Sequence, residues 1–166
     1  MKYFFLFCFL FTSSLQLIGQ SYFPDNCAGI WEGEMLIYHQ GNQVNQVDVR
    51  MEIERIPDSL KWSWKTEYLA PEPIVKNYML ILEDPGSNKY TLDENNGILL
   101  YSYVFENRMF SNFEVEGNLL TSVYILENNQ LIFEISSGKD IGKTENDITN
   151  FSVMNLQRTV LKRKME

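Results

Sequence analysis

From Cys27 almost to its end, the chain is a ladder of short segments in which apolar and polar residues alternate. The cleanest rung is Val47, Val49, Met51 and Ile53, interleaved with Asp48, Arg50, Glu52 and Glu54. Strand side chains point to opposite faces with a period of two residues, so this pattern buries one face and wets the other. Turn signals separate nearly all the rungs, among them Gly41-Asn42, Pro57-Asp58-Ser59, Asp84-Pro85-Gly86, Asn96-Gly97 and Asn128-Asn129. These residue types supply the left-handed or pre-set backbone angles of tight turns. The combination predicts an all-β, antiparallel meander of about ten strands.

The expected strands cover about 29–38, 44–56, 60–68, 74–83, a short piece around Tyr90 and Leu92, 98–105, 109–116, 119–126, 131–136 and 148–161. Residues 137–147 read as the one long polar connection. The segment from Ile74 to Glu83 reads as a strand, although Ile74, Val75, Tyr78, Ile81 and Leu82 also fit one helical face. Against a helix, Glu83 and Asp84 would sit at the negative end of its dipole. A meander this wide tends to curl, and closure removes its exposed edges, which predicts an up-and-down β-barrel. No internal repeat or linker divides it.

The first stretch stands apart. Lys2 precedes an apolar run from Tyr3 to Phe11, followed by Thr12, Ser13 and Ser14. That order describes a secretory signal peptide over residues 1–20, cleaved near Gly19 to Ser21, with a single domain over 21–166. The run is too short to span a bilayer, which takes roughly 20 apolar residues. The expected location is therefore exported, periplasmic or secreted. Removing residues 1–20 takes away one basic residue and leaves 13 basic against 22 acidic residues, a net charge of −9. Such a domain repels phosphate backbones and anionic membrane surfaces, so nucleic acid is excluded as a partner. The alternating strands and aromatic residues also fit a membrane barrel. Charges opposite the apolar faces of the strands around Arg50 and Lys65, and an end without an aromatic residue, favour a domain that does not span the membrane.

Residues able to carry catalysis are few. His39 is the only histidine and borders a turn, where a polar surface residue is the ordinary expectation. Cys27 is the only cysteine outside the leader, so it forms no internal disulfide and is a free thiol or an intermolecular bridge. A Cys27–His39 dyad would have to reach across a strand length. No four-ligand zinc set exists, no metal or cofactor is expected, and Asp93 to Gly97 reads as a polar hairpin rather than a calcium loop. Glu67, Glu114 and Glu134 lie within strands and keep a carboxylate-only glycoside hydrolase as the least favoured reading.

The aromatic residues are the best functional clue. Trp62 and Trp64 share one face of their strand, and Tyr78, Phe113 and Tyr124 fall on others. They either fill a core or line a pocket for a small, largely apolar ligand. The segments 98–105 and 119–126 are apolar on both faces, which offers a second reading: an interaction module with a filled core that uses those outer faces, a homodimer being one form of it.

Gly29-Ile30-Trp31 on the first strand and Arg158 on the last resemble the lipocalin and wider calycin group of ligand-binding barrels. In that group a first-strand Trp packs under a basic side chain from the far end of the chain and closes one end of the barrel. The resemblance implies that Trp31 and Arg158 form this closure, with Arg163 as reserve. The fatty-acid-binding branch inserts helices between its first strands, where this chain has only His39 to Gln43. The haem-binding branch uses a late histidine, and no histidine follows His39. The leading expectation is an exported, non-catalytic, lipocalin-like barrel that binds a small apolar molecule through Trp62, Trp64, Tyr78, Phe113 and Tyr124.

Overall fold

A computed structural model describes residues 21–143 and 146–165. The expected leader lies outside the described residues. A short helix, α1 (Phe23–Cys27), precedes β1 (Gly29–His39), β2 (Asn42–Arg55), β3 (Lys61–Tyr68), β4 (Ile74–Asp84), β5 (Lys89–Asp93), β6 (Leu99–Phe105), β7 (Arg108–Val115), β8 (Asn118–Glu127), β9 (Gln130–Lys143) and β10 (Thr149–Arg163). Each strand pairs antiparallel with its sequence neighbours, and β1 also pairs with β10. The ten strands therefore form the closed up-and-down barrel that the alternation predicts.

The hairpins show why the register holds. Glu116 and Gly117 have φ of 51° and 74°, and Asn128 and Asn129 have 51° and 59°. Two successive left-handed residues make the tight turn whose twist matches the flanking strands. Once register is set, alternation decides the rest. On β2, Val49, Met51 and Ile53 are buried while Asp48 and Glu54 face water. On the outside, Arg50 lies 3.6–4.0 Å from Glu32, Glu52 and Glu67. Such exposed pairs contribute little stability, but they keep this face wet.

Residues 74–84 are a strand, paired with β3 on one side and β5 on the other. Tyr78, Leu80 and Leu82 point inward, whereas Ile74 and Val75 are exposed near the mouth. The polar stretch 137–147 differs from expectation. β9 continues through it to Lys143, with Lys139 opposite Asn118 of β8 and Ser152 of β10. Ladder bonds use backbone groups, so polar side chains are no obstacle to an exposed hairpin arm. Helix α1 was also unexpected, because five residues are too few to show a helical period.

The interior divides into two halves. At the α1 end it is filled by Trp31, Met51, Ile53, Trp62, Trp64, Leu80, Leu131 and Leu161, none more than 1% exposed. At the other end, where the β5–β6, β7–β8 and β9–β10 turns lie, the packing opens. The thinnest seam is between β6 and β7, whose paired residues are only Tyr103 to Phe105 and Arg108 to Phe110. Beyond that ladder, toward the mouth, the buried Ser102 and Ser111 hydroxyls hydrogen-bond to each other across the seam.

Candidate functional site

The closed end is built around α1. The Trp31 indole N–H donates to the Cys27 carbonyl at 2.7 Å, and the Trp62 N–H donates to Asp25 Oδ1 at 2.8 Å. Arg55 reaches Asp25 at 3.2 Å and lies 5.7 Å from the Tyr22 ring centroid and 5.3 Å from that of Trp62. Arg163 stacks over Trp31 at 4.2 Å and donates to the Ala28 and Asn26 carbonyls, the latter at 2.9 Å. A guanidinium over an indole face is attractive, and its planar fork leaves N–H groups free to bond the backbone of α1.

This geometry corrects the proposed closing residue. Arg158 does not meet Trp31. It pairs across β1 with Leu36 and, on the outer surface, donates to Glu134 at 2.6 Å. Alternation is the reason: Arg158 has outward parity on β10, and Arg163, an odd number of residues later, has inward parity. Gly29 explains the Gly-x-Trp spacing. Its φ of +128° and the 2.5 Å between an added Cβ and the Arg163 guanidinium both require glycine.

Cys27 is fully buried and free. Burial pushes its thiol up to about 12, with the Arg163 charge only partly opposing. It is therefore not a nucleophile at neutral pH. His39 is exposed, with Nδ1 2.8 Å from Asn155 Oδ1. Glu67, Glu114 and Glu134 do not line the interior; Glu67 bonds Lys65 on the outer face, Glu134 bonds Arg158, and Glu114 is exposed. In the 93–97 hairpin, Asp93 and Asn96 side chains accept from the Asn95 and Ile98 amides, so their oxygens serve the turn. Among the described residues no group of side chains has metal-binding geometry.

The open end holds a cavity of about 120 Å³. Tyr68, Tyr78, Phe113, Tyr124 and Phe133 form its aromatic wall, Leu92, Leu100 and Ile135 its aliphatic wall, and Thr66, Ser122, Gln157 and Glu94 its polar groups. Tyr124 and Phe133 stack at 4.4 Å, and Trp64 meets Tyr124 edge-on at 5.1 Å from beneath. The buried Trp64 N–H influences the Tyr124 hydroxyl but falls short of hydrogen-bond geometry. Burial raises all three phenols: Tyr124 far above its ordinary value, Tyr78 to about 12 with help from the Glu94 charge, and Tyr68 in the same direction. They stay protonated at neutral pH and present neutral oxygens to the space.

Of the expected ligand-binding residues, Tyr78, Phe113 and Tyr124 line this cavity; Trp62 and Trp64 do not. Both indoles are fully buried beneath it, where they fill the closed half. Their bulk keeps the space below the roughly 300 Å³ at which drug-sized ligand sites begin. Sequence reasoning overlooked Glu94, Tyr68 and Gln157 as lining groups. Parity carried a signal, since Tyr90, Leu92 and Glu94 have one phase, but Glu94 reads as part of a turn. A wider depression of about 700 Å³ lies at the closed end, beside Ala28, Arg55 and Arg163. The outer face of β6 and β7 exposes Leu99, Tyr101, Tyr103, Phe105 and Phe110.

No family model matches the chain, and no curated protein matches its sequence. Solved structures do. The S-type phycobiliprotein lyase CPES from Guillardia theta superposes with a TM-score of 0.60 at 11% identity, covering 87% of this chain and 92% of that one. A protein of unknown function of the DUF3598 family from Nostoc punctiforme gives 0.59 at 10% identity over 85% of this chain. This chain spans about half of that protein, 49% of its length. A variant of the fluorescent protein UnaG gives 0.47 at 10% identity, over 86% and 99% of the two chains. The barrel is calycin-like in fold. At such identities the likeness concerns the path of the backbone. The Trp31–Arg163 closure is this chain's own evidence for the same architecture.

Proposed function

We propose that this chain is an exported, non-catalytic, lipocalin-like protein that seats a small, largely apolar molecule, or the head of a longer one, in its mouth cavity. The observation that carries this reading is the cavity itself: aromatic and aliphatic walls with a few convergent polar groups, closed below by Trp64. Apolar contact would supply most of the affinity and the hydroxyls its orientation. The fold likeness adds little by itself, because one fold hosts many functions. Catalysis by paired acids finds no support, since Glu94 is the single carboxylate among the lining residues and glycoside hydrolysis uses two.

The test is native mass spectrometry of the protein purified from its own source. A bound small molecule is expected, and it should be lost when Ser122→Phe fills the cavity while circular dichroism keeps its β signature. Protein that carries no small molecule under any gentle preparation would refute the container. Export is tested by N-terminal sequencing of the protein outside the cytoplasm, with the first residue expected near Gly19 to Ser21. A second reading, self-association through the outer face of β6, draws on the half-exposed Tyr101 and Phe105, at 60% and 62%. Sedimentation showing a concentration-dependent dimer that Tyr103→Asp abolishes would support it.

A further inference from the structure

Among the residues that line the mouth cavity there is one charged group, the Glu94 carboxylate, and no lysine, arginine or histidine. Among the described residues it has no ion-pair partner; the neutral Asn96 amide donates to it at 3.3 Å, and the neutral Tyr78 hydroxyl interacts with it from the cavity wall. Glu32, Glu67 and Glu134, by contrast, each meet a base on the outer face. Around Glu94 stand the rings of Tyr68, Tyr78, Phe113, Tyr124 and Phe133.

Aromatic faces carry negative potential and attract cations, most strongly where water is excluded. The hydroxyl oxygens of Tyr78 and Tyr124 remain neutral acceptors. A carboxylate that shares its cavity with several aromatic rings, and with no base among the lining residues, rejects anions and favours a positive ligand. The rest of the molecule acts in the same sense: the chain has a net charge of −8, and clefts in acidic proteins concentrate cations. Size narrows the class further. An apolar cavity of about 150 Å³ takes a benzene ring, so 120 Å³ takes a head group of that size or smaller.

We infer that the ligand is a small organic ammonium, or a longer molecule with an ammonium head, held with its charge at Glu94 and its alkyl groups against Tyr78, Phe113, Tyr124 and Phe133. This rests on the container reading and names its ligand class. It is compatible with a largely apolar ligand, because the alkyl groups provide most of the buried surface.

The experiment compares choline with its uncharged isostere, 3,3-dimethylbutan-1-ol, by calorimetric titration of the purified protein and of Glu94→Gln. Wild type is expected to bind choline about tenfold more tightly than the alcohol, the size of a cation–aromatic and charge contact. Glu94→Gln should erase that preference and leave the alcohol unchanged. Glu114→Gln, which removes an exposed negative charge away from the cavity, should retain the preference and so controls for the change in net charge. Equal binding of both compounds, insensitive to Glu94→Gln, would overturn the charge assignment and leave the container standing. Failure of choline to bind at all would also overturn it; the container is then judged separately by whether the native protein carries a neutral or anionic molecule.

Discussion

At the closed end, the polar groups around α1 are paired: the Trp31 and Trp62 N–H groups bond α1, and Arg55 and Arg163 bridge it to the barrel. At the mouth, the hydroxyls of Tyr68, Tyr78 and Tyr124 and the Glu94 carboxylate converge on open volume. The same barrel thus has one half built for cohesion and one half whose polar groups border open volume. The difference lies in side-chain volume. Three indoles and α1 fill the lower half, whereas the upper half has Thr66, Ser122 and Gln157 at positions where a larger apolar residue would close the space. Proteins commonly concentrate incompletely satisfied polar groups where they bind.

The largest effect should come from emptying the closed half. Trp62→Ala removes a fully buried indole and its bond to Asp25, and is expected to cost about 3–5 kcal/mol in urea denaturation. A loss under about 1 kcal/mol would mean that the lower half is not the cohesive one.

Alkaline pH should act next. The Cys27 thiol is raised from 9.0 to about 12 in the folded protein, and Tyr78 from 10.0 to about 12, chiefly by burial. For groups raised in this way, the unfolded chain ionises first. Their contribution is complete below about pH 9 and is lost as pH climbs toward 12. Melting temperature should therefore fall steadily above pH 9, less so in Cys27→Ala when each protein is compared with its own value at pH 7.

The two arginines give a sharper contrast. Arg163→Ala frees two backbone carbonyls and one indole face, and should cost about 2–3 kcal/mol. Arg158→Ala breaks an exposed pair with Glu134 and should cost at most about 1 kcal/mol. Equal losses would return Arg158 to the closure. The smallest stability effect belongs to the mouth: Ser122→Val replaces a hydroxyl by a methyl group and adds a second methyl beside open volume, and should shift stability by less than about 1 kcal/mol, while weakening ligand uptake measurably.

Much of the fold was legible because alternation and turn chemistry are local. Val47 to Ile53 states its own inside and outside, and Asn128-Asn129 states its turn. The ten-strand meander follows from repeating those two signals. The site was legible only in part. Tyr78, Phe113 and Tyr124 were recognisable as inward aromatics on the same grounds as Trp62 and Trp64, yet only the first three border the cavity. Period-two patterning says which face a side chain takes and is silent about how far along the barrel axis it sits.

What the amino-acid order determined by itself was therefore the closed sheet and the set of residues turned toward its axis, because each depends on neighbours a few positions away. What only the tertiary structure decided was depth and pairing. Strand tilt and stagger set which inward residues share a level, so Arg163 meets Trp31, α1 meets Trp62, and Glu94 is carried by a hairpin to the rim of an aromatic pocket. Those relations join residues tens to more than a hundred positions apart, or residues in turns, where no local period records them.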